Sequence, residues 1–226
     1  NSRNLPLSPR LSLEVHSSPS EGNAMKRPLP IMFALFCLLV MALPTNTKAA
    51  DLKLPPITTA ALTLGPLPAP WGWRDFCRKN PADCTKQTSS EPGLFILTPE
   101  KWKTIISTNE TVNKNIEPMS DMDHWNKPES WDYPSDGKGD CEDYALLKRG
   151  LLIRAGLPAS ALLMTVVINR KGEGHAVLTL VSDRGDYVLD NQINEILSWE
   201  NSGYRFVQRQ SQADPNEWTR LSNGIG

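Results

Sequence analysis

The spacing of apolar residues changes near residue 160. Before that point they recur at helical intervals; after it they crowd into short β-branched runs. Trp102, Ile105, Ile106 and Val112 form a partial stripe behind Thr98-Pro99-Glu100. Thr98 can cap a helix and Pro99 suits its first turn, which predicts a helix from about Pro99 to Asn115. Tyr144, Leu147, Leu151 and Ala155 mark a second helix, capped by Asp140 and ended by Gly156, with Pro158 just beyond. Downstream, Leu162 to Asn169 (LLMTVVIN), His175 to Ser182 (HAVLTLVS) and Tyr187 to Asp190 (YVLD) read as strands. Turns at RKGEG and DRGD separate them, and Tyr204 to Gln208 is a weaker final strand. Helices followed by antiparallel hairpins predict an α+β domain. Glu117 to Gly139 lacks periodicity and reads as a structured loop or a set of short turns. Leu52 to Pro70 holds Pro55, Pro56, Pro66, Pro68 and Pro70, so an extended arm is expected there, not a packed element.

A different pattern precedes the arm. Met25 is followed by Lys26 and Arg27, then by the 13 apolar residues IMFALFCLLVMAL, then by the small-residue stretch TNTKAA. That order is an export signal, and the run is short of the ~20 residues of a membrane span. An uncleaved anchor is the alternative. The expectation is a signal peptide over 25–50, residues 1–24 outside the mature protein, an arm over 51–75 and one domain over 76–226. The chain is 39% hydrophobic and 22% charged with a formal net charge of -1, which is ordinary globular composition. It is too polar for a multi-span membrane protein and has no basic excess for nucleic acid.

Export changes the meaning of the four cysteines. Cys37 leaves with the signal, and a bulky Phe36 before it argues against lipidation. Cys77 and Cys84 flank an Asn-Pro turn signal in a compartment that permits disulfides, and are expected to pair. Cys141 is then the odd thiol, at a helix start where exposed N–H groups favour a thiolate. A nucleophilic cysteine needs a base and a group to orient that base. His175 opens a strand, and Asp190 ends the next one. An antiparallel register of the right parity puts both side chains on one face. A tight turn at Arg184-Gly185 would still offset them by four residues, roughly 13 Å. Contact therefore calls for a turn nearer Ser182-Asp183, or a bulge. Each residue also has a bland reading: a core cysteine, a surface histidine, an aspartate capping a turn.

Acids crowd the thiol. Glu117 to Asp143 contains nine acids and two bases, with Asp140, Glu142 and Asp143 around Cys141. Negative neighbours raise a thiol's pKa and oppose its ionisation. A solvated acidic loop is one explanation; a hard divalent cation with oxygen ligands is the other. Zinc would consume the thiol and imidazole that catalysis needs.

GDCEDYALLKRGLL, GHAVLTLVSDRGDYVLDN and YRFVQRQS with Trp218 resemble the bacterial transglutaminase-like cysteine proteinases, from about Cys77 to Trp218. The resemblance implies a papain/transglutaminase-like α+β core, the nucleophile helix packed on an antiparallel sheet. It makes Cys141 the nucleophile, His175 the general base and Asp190 its partner. In the LapG-type branch it further implies calcium held by Asp140 and Glu142, with Asp143 as a further ligand. A periplasmic location, a large exported adhesin as protein substrate in biofilm control, and an inner-membrane cyclic di-GMP receptor as partner follow by the same likeness. Two rivals share the residues: transamidation, in which an amine replaces water, and a silent binding module built on the acidic loop.

Overall fold

The computed structural model of the chain describes residues 53–86 and 93–222. The export signal, Cys37 and residues 1–24 lie outside the described residues. No helix among the described residues is long and apolar enough to cross a membrane.

The described elements run in chain order as β1 (Thr63–Leu67), α1 (Trp71–Lys79), α2 (Pro99–Asn115), β2 (Glu117–Pro118), α3 (Asp121–Trp125), β3 (Lys138–Gly139) and α4 (Cys141–Arg154). Then come β4 (Leu162–Ile168), β5 (Gly174–Ser182), β6 (Gly185–Leu189), β7 (Leu197–Ser198), β8 (Arg205–Gln210) and β9 (Trp218–Leu221). Seven strands form one antiparallel sheet in the order β1-β9-β8-β4-β5-β6-β7; β2 and β3 make a small parallel pair. The α+β class holds, and both sequence-read helices form. The Thr98 hydroxyl caps α2 by accepting from the Lys101 N–H, and Gly156 follows α4 at φ +91°, which glycine tolerates.

Strand alternation divides the core in two. Leu162, Met164, Leu178, Leu180, Tyr187 and Leu189 face the helices in one cluster, with Trp73, Phe76, Trp131 and Trp218. Val167, Val177, Val188, Phe206 and Leu221 face the other way, covered by Ala61 and Trp199. That second cover corrects the expectation of an unpacked arm. Residues 55–62 strap the sheet: the Pro55 carbonyl accepts from Arg184 Nε at 2.8 Å, and the Ala61 N–H donates to buried Asp186 at 2.9 Å. Thr63–Leu67 then pairs with β9, Pro66 opposite Thr219. Proline lacks a donor but keeps its carbonyl, so a Pro-rich segment can strap a face or form an edge strand.

Several further elements escaped the apolar pattern, among them α1, β1, β9 and the short α3 inside the segment read as loop or turns. α1 is nine residues long and carries only Trp73 and Phe76 as its large buried side chains. β1 is a short edge strand, and β9 is the short strand between it and β8. Cys77 and Cys84 form the expected disulfide, which ties α1 to the turn after it and leaves Cys141 as the free cysteine among the described residues.

Candidate active site

Cys141 is the first residue of α4, after Asp140 in extended conformation. Acids suit this position, because a helix N-terminus carries partial positive charge. The Asp143 carboxylate folds back to accept from the Asp140 N–H at 3.4 Å and from the Asp132 N–H at 2.9 Å. A Cβ at Gly139 would stand 2.7 Å from the Asp143 Cβ, so this fold-back needs glycine there.

The β5 strand supplies the opposite wall. Ala176 donates its backbone N–H to the Cys141 sulfur at 3.3 Å. Next to it, His175 is buried, and its Nε2 lies 2.9 Å from Asp190 Oδ1. Asp190 Oδ1 also accepts from the Gln192 N–H at 3.1 Å, and Oδ2 accepts from the Tyr204 hydroxyl. The Tyr204 ring meets the imidazole edge-on at 5.5 Å. All three sequence-predicted residues therefore gather at the end of β5 beyond the point where β6 stops pairing.

The register that achieves this turns one residue nearer Ser182-Asp183 than the tight turn at Arg184-Gly185 would, and needs no bulge. Ser182 pairs with Gly185 and Leu178 with Leu189, without a bulge, so the turn is Asp183-Arg184. Extended by one residue, that register sets Asp190 opposite Val177, two positions from His175. The diagonal of about 7–8 Å across an antiparallel pair is within reach of these side chains. Asp190 follows the last β6 residue, so no sheet partner holds its backbone.

The two halves of the site differ electrostatically. Burial pushes the Asp190 carboxyl up, but the hydrogen bonds from His175 and Tyr204 outweigh it and hold the group below its ordinary value. Around the thiol the balance is reversed. Burial pushes Cys141 well above the ordinary thiol value, and the Glu142 charge adds to it. Burial, then repulsion from Asp140, pushes Glu142 up to about 10. Burial takes Asp143 to about 8 and Asp121 to about 6, with Asp140 contributing to both. The sulfur also contacts Glu142 Oε2 at 3.1 Å.

Two overlapping groups could hold a metal: Asp140, Cys141 and Glu142, and Asp121, Asp140 and Asp143, each with ligand atoms within 4.8 Å of one another. Asp140 Oδ1 and Glu142 Oε1 are buried with no hydrogen-bond partner. Buried anionic oxygens without donors are costly, and a hard cation satisfies them. The donor set fits calcium in kind.

Sequence reasoning had not assigned Asp121, which reaches the cluster from α3 when its N–H donates to Asp140 Oδ2 at 3.3 Å. Nineteen residues separate the two, and no local pattern links them. Tyr204 was legible only as a strand start. His124 is engaged elsewhere, 2.8 Å from Asp136.

The family model described as bacterial transglutaminase-like cysteine proteinase BTLCP matches residues 64–225. Among solved structures, Legionella pneumophila LapG is similar at 23% identity and a TM-score of 0.44, covering 55% of this chain and 70% of that one. Its calcium-bound form matches at 19% identity and a TM-score of 0.43, covering 66% of this chain and 88% of that one. The EGTA-treated form matches at 24% identity and a TM-score of 0.40, covering 48% and 62%. A search of curated proteins found no match. With the family model spanning most of its length, the chain belongs to the bacterial transglutaminase-like cysteine proteinases and is a cysteine peptidase.

Proposed function

We propose that the protein is a periplasmic, calcium-dependent cysteine endopeptidase in which Cys141 is the nucleophile, His175 the general base and Asp190 the group that orients it. One observation carries the reading. The imidazole bound to Asp190 and the N–H that touches the Cys141 sulfur belong to adjacent residues of one strand.

With Nε2 committed to Asp190, Nδ1 is the nitrogen left to take the thiol proton. The thiolate attacks a peptide carbonyl, and the tetrahedral oxyanion forms near the Cys141 N–H at the helix start. Collapse breaks the C–N bond, and the leaving amine takes the proton from His175. The acyl group remains on sulfur as a thioester. His175 then removes a proton from water, the hydroxide attacks the thioester, and the new acid departs as the thiol regains its proton. Asp190 stabilises the imidazolium in both halves without being protonated.

Asp140, Glu142 and Asp143, joined by Asp121, would hold the cation. Bound calcium supplies positive charge that offsets the carboxylates opposing the thiolate. The unpartnered oxygens of Asp140 and Glu142 support this assignment.

The substrate proposed is a large exported adhesin, with an inner-membrane cyclic di-GMP receptor as the regulatory partner. Comparing surface and released proteins from cells carrying the wild-type or a Cys141→Ala protein tests the substrate. Release of a large surface protein that requires Cys141 is expected; identical profiles would refute it. A labelled primary amine separates hydrolysis from transamidation, and hydrolysis predicts that the amine is ignored.

A further inference from the structure

Lys148 is a buried cation that the mechanism above does not use. It lies on α4 seven residues after Cys141, so the two share a helix face about two turns apart. Its side chain is shut off from solvent, and its ammonium donates to the Asp190 backbone carbonyl at 2.8 Å. Among the described residues Arg209 is buried in an ion pair with Asp186, whereas Lys148 has no carboxylate within salt-bridge distance. Burial drives its pKa down to about 7, against the pull of Asp190. An apolar side chain of similar volume would avoid this desolvation cost. A buried ammonium kept against one carbonyl therefore calls for a role.

The place of that carbonyl supplies one. Asp190 follows the last paired residue of β6, where the sheet no longer fixes the backbone. Two helices take over. Lys148 of α4 and Asn113 of α2, whose Nδ2 lies 2.9 Å away, both donate to the Asp190 carbonyl. The carboxylate is aimed at His175 from a main chain tied to the helix that carries the nucleophile.

We propose that Lys148, with Asn113, is a positioning residue that pins the Asp190 main chain to the nucleophile helix and so keeps the carboxylate on His175. The inference rests on reading Cys141, His175 and Asp190 as the triad. Removing the clamp lets the carboxylate tilt away from Nε2, and the imidazole loses the tautomer that presents Nδ1 to the thiol.

The test uses the full chain with calcium present and iodoacetamide as the probe. Alkylation of Cys141 is followed by peptide mass, alongside the low-field proton NMR signal of the imidazole N–H. Lys148→Met keeps the aliphatic stem and removes the donors. Alkylation should slow about tenfold or more at an unchanged folded fraction, and the low-field signal should be lost. A merely structural role would lower the melting temperature and leave the rate per folded molecule and the signal intact, which would overturn the proposal. Should Lys148→Met fail to fold, Asn113→Ala decides: about threefold slower alkylation supports the clamp, and a wild-type rate refutes it. Asp190→Asn separates the two levels. If it alkylates normally, the triad reading fails; if it is crippled while Lys148→Met is not, only the clamp fails.

Discussion

The two carboxylate regions that meet at Cys141 are built in opposite ways. At Asp190, His175, Gln192 and Tyr204 together engage both oxygens, and the group stays ionised although buried. At the head of α4, Asp121, Asp140, Glu142 and Asp143 crowd together, and two of their buried oxygens have no donor at all. The first region is complete from the chain's own residues. The second leaves Asp140 Oδ1 and Glu142 Oε1 without a partner. One side of the site is satisfied by donors of the chain itself; the other leaves carboxylate oxygens without donors, where the proposed cation would bind.

The sharpest way to break the comparison is to remove the proposed nucleophile or its base. Cys141→Ala and His175→Ala should each lower turnover by about 10⁴-fold or more while circular dichroism and melting stay near wild type. Chelation comes next. It should abolish cleavage and lower the melting temperature by about 5–10 °C, the effect of losing a ligand held well above its Kd. Glu142→Gln should shrink that gap, and equal melting with calcium and with chelator would contradict it. On the satisfied side, Tyr204→Phe removes one hydrogen bond to Asp190 and should slow turnover about tenfold, read as a fall in kcat at similar KM.

A smaller effect, of opposite sign in the two regions, appears with pH. Glu142, Asp143 and Asp121 have folded-state values of about 10, 8 and 6, above the ordinary carboxylate range. The folded, chelated protein thus holds protons that the unfolded chain has released. Their stabilising contribution is full below about pH 4 and is lost as pH rises through those raised values. The chelated protein should therefore melt higher near about pH 5 than near about pH 8, and calcium should remove that loss. Asp190, held below its ordinary value, contributes stability at neutral pH that disappears only as pH falls through its lowered value. Reduction of Cys77–Cys84 should matter least to catalysis, since α1 lies outside the site. It should cost about 2 kcal/mol of stability, measured by denaturant melting, with kcat unchanged.

Much of this was legible in the sequence because the signals were local. Thr98-Pro99, the stripe from Tyr144 to Ala155, and the two successive hairpins from Leu162 to Asp190 each declare themselves over a short run of the chain. The thiol at a helix start and the histidine opening a strand were legible for the same reason. What stayed hidden depends on long-range placement. Pro66 pairs across the sheet edge with Thr219. Asp121 joins Asp140 from the start of α3, and Lys148 meets a carbonyl just past the end of β6. The register between His175 and Asp190 turned on a single turn position. Apolar periodicity reports which face of an element is buried, not what that face meets.

A peptidyl vinyl sulfone traps the nucleophile only where thiol and imidazole are assembled, so it reads the proposed Cys141–His175 pair itself. Intact-mass and peptide mapping of the treated protein should find one adduct, on Cys141, formed in calcium and lost on chelation and in His175→Ala. An adduct that forms equally with chelator or without His175, or no adduct on Cys141 in calcium, would contradict the account.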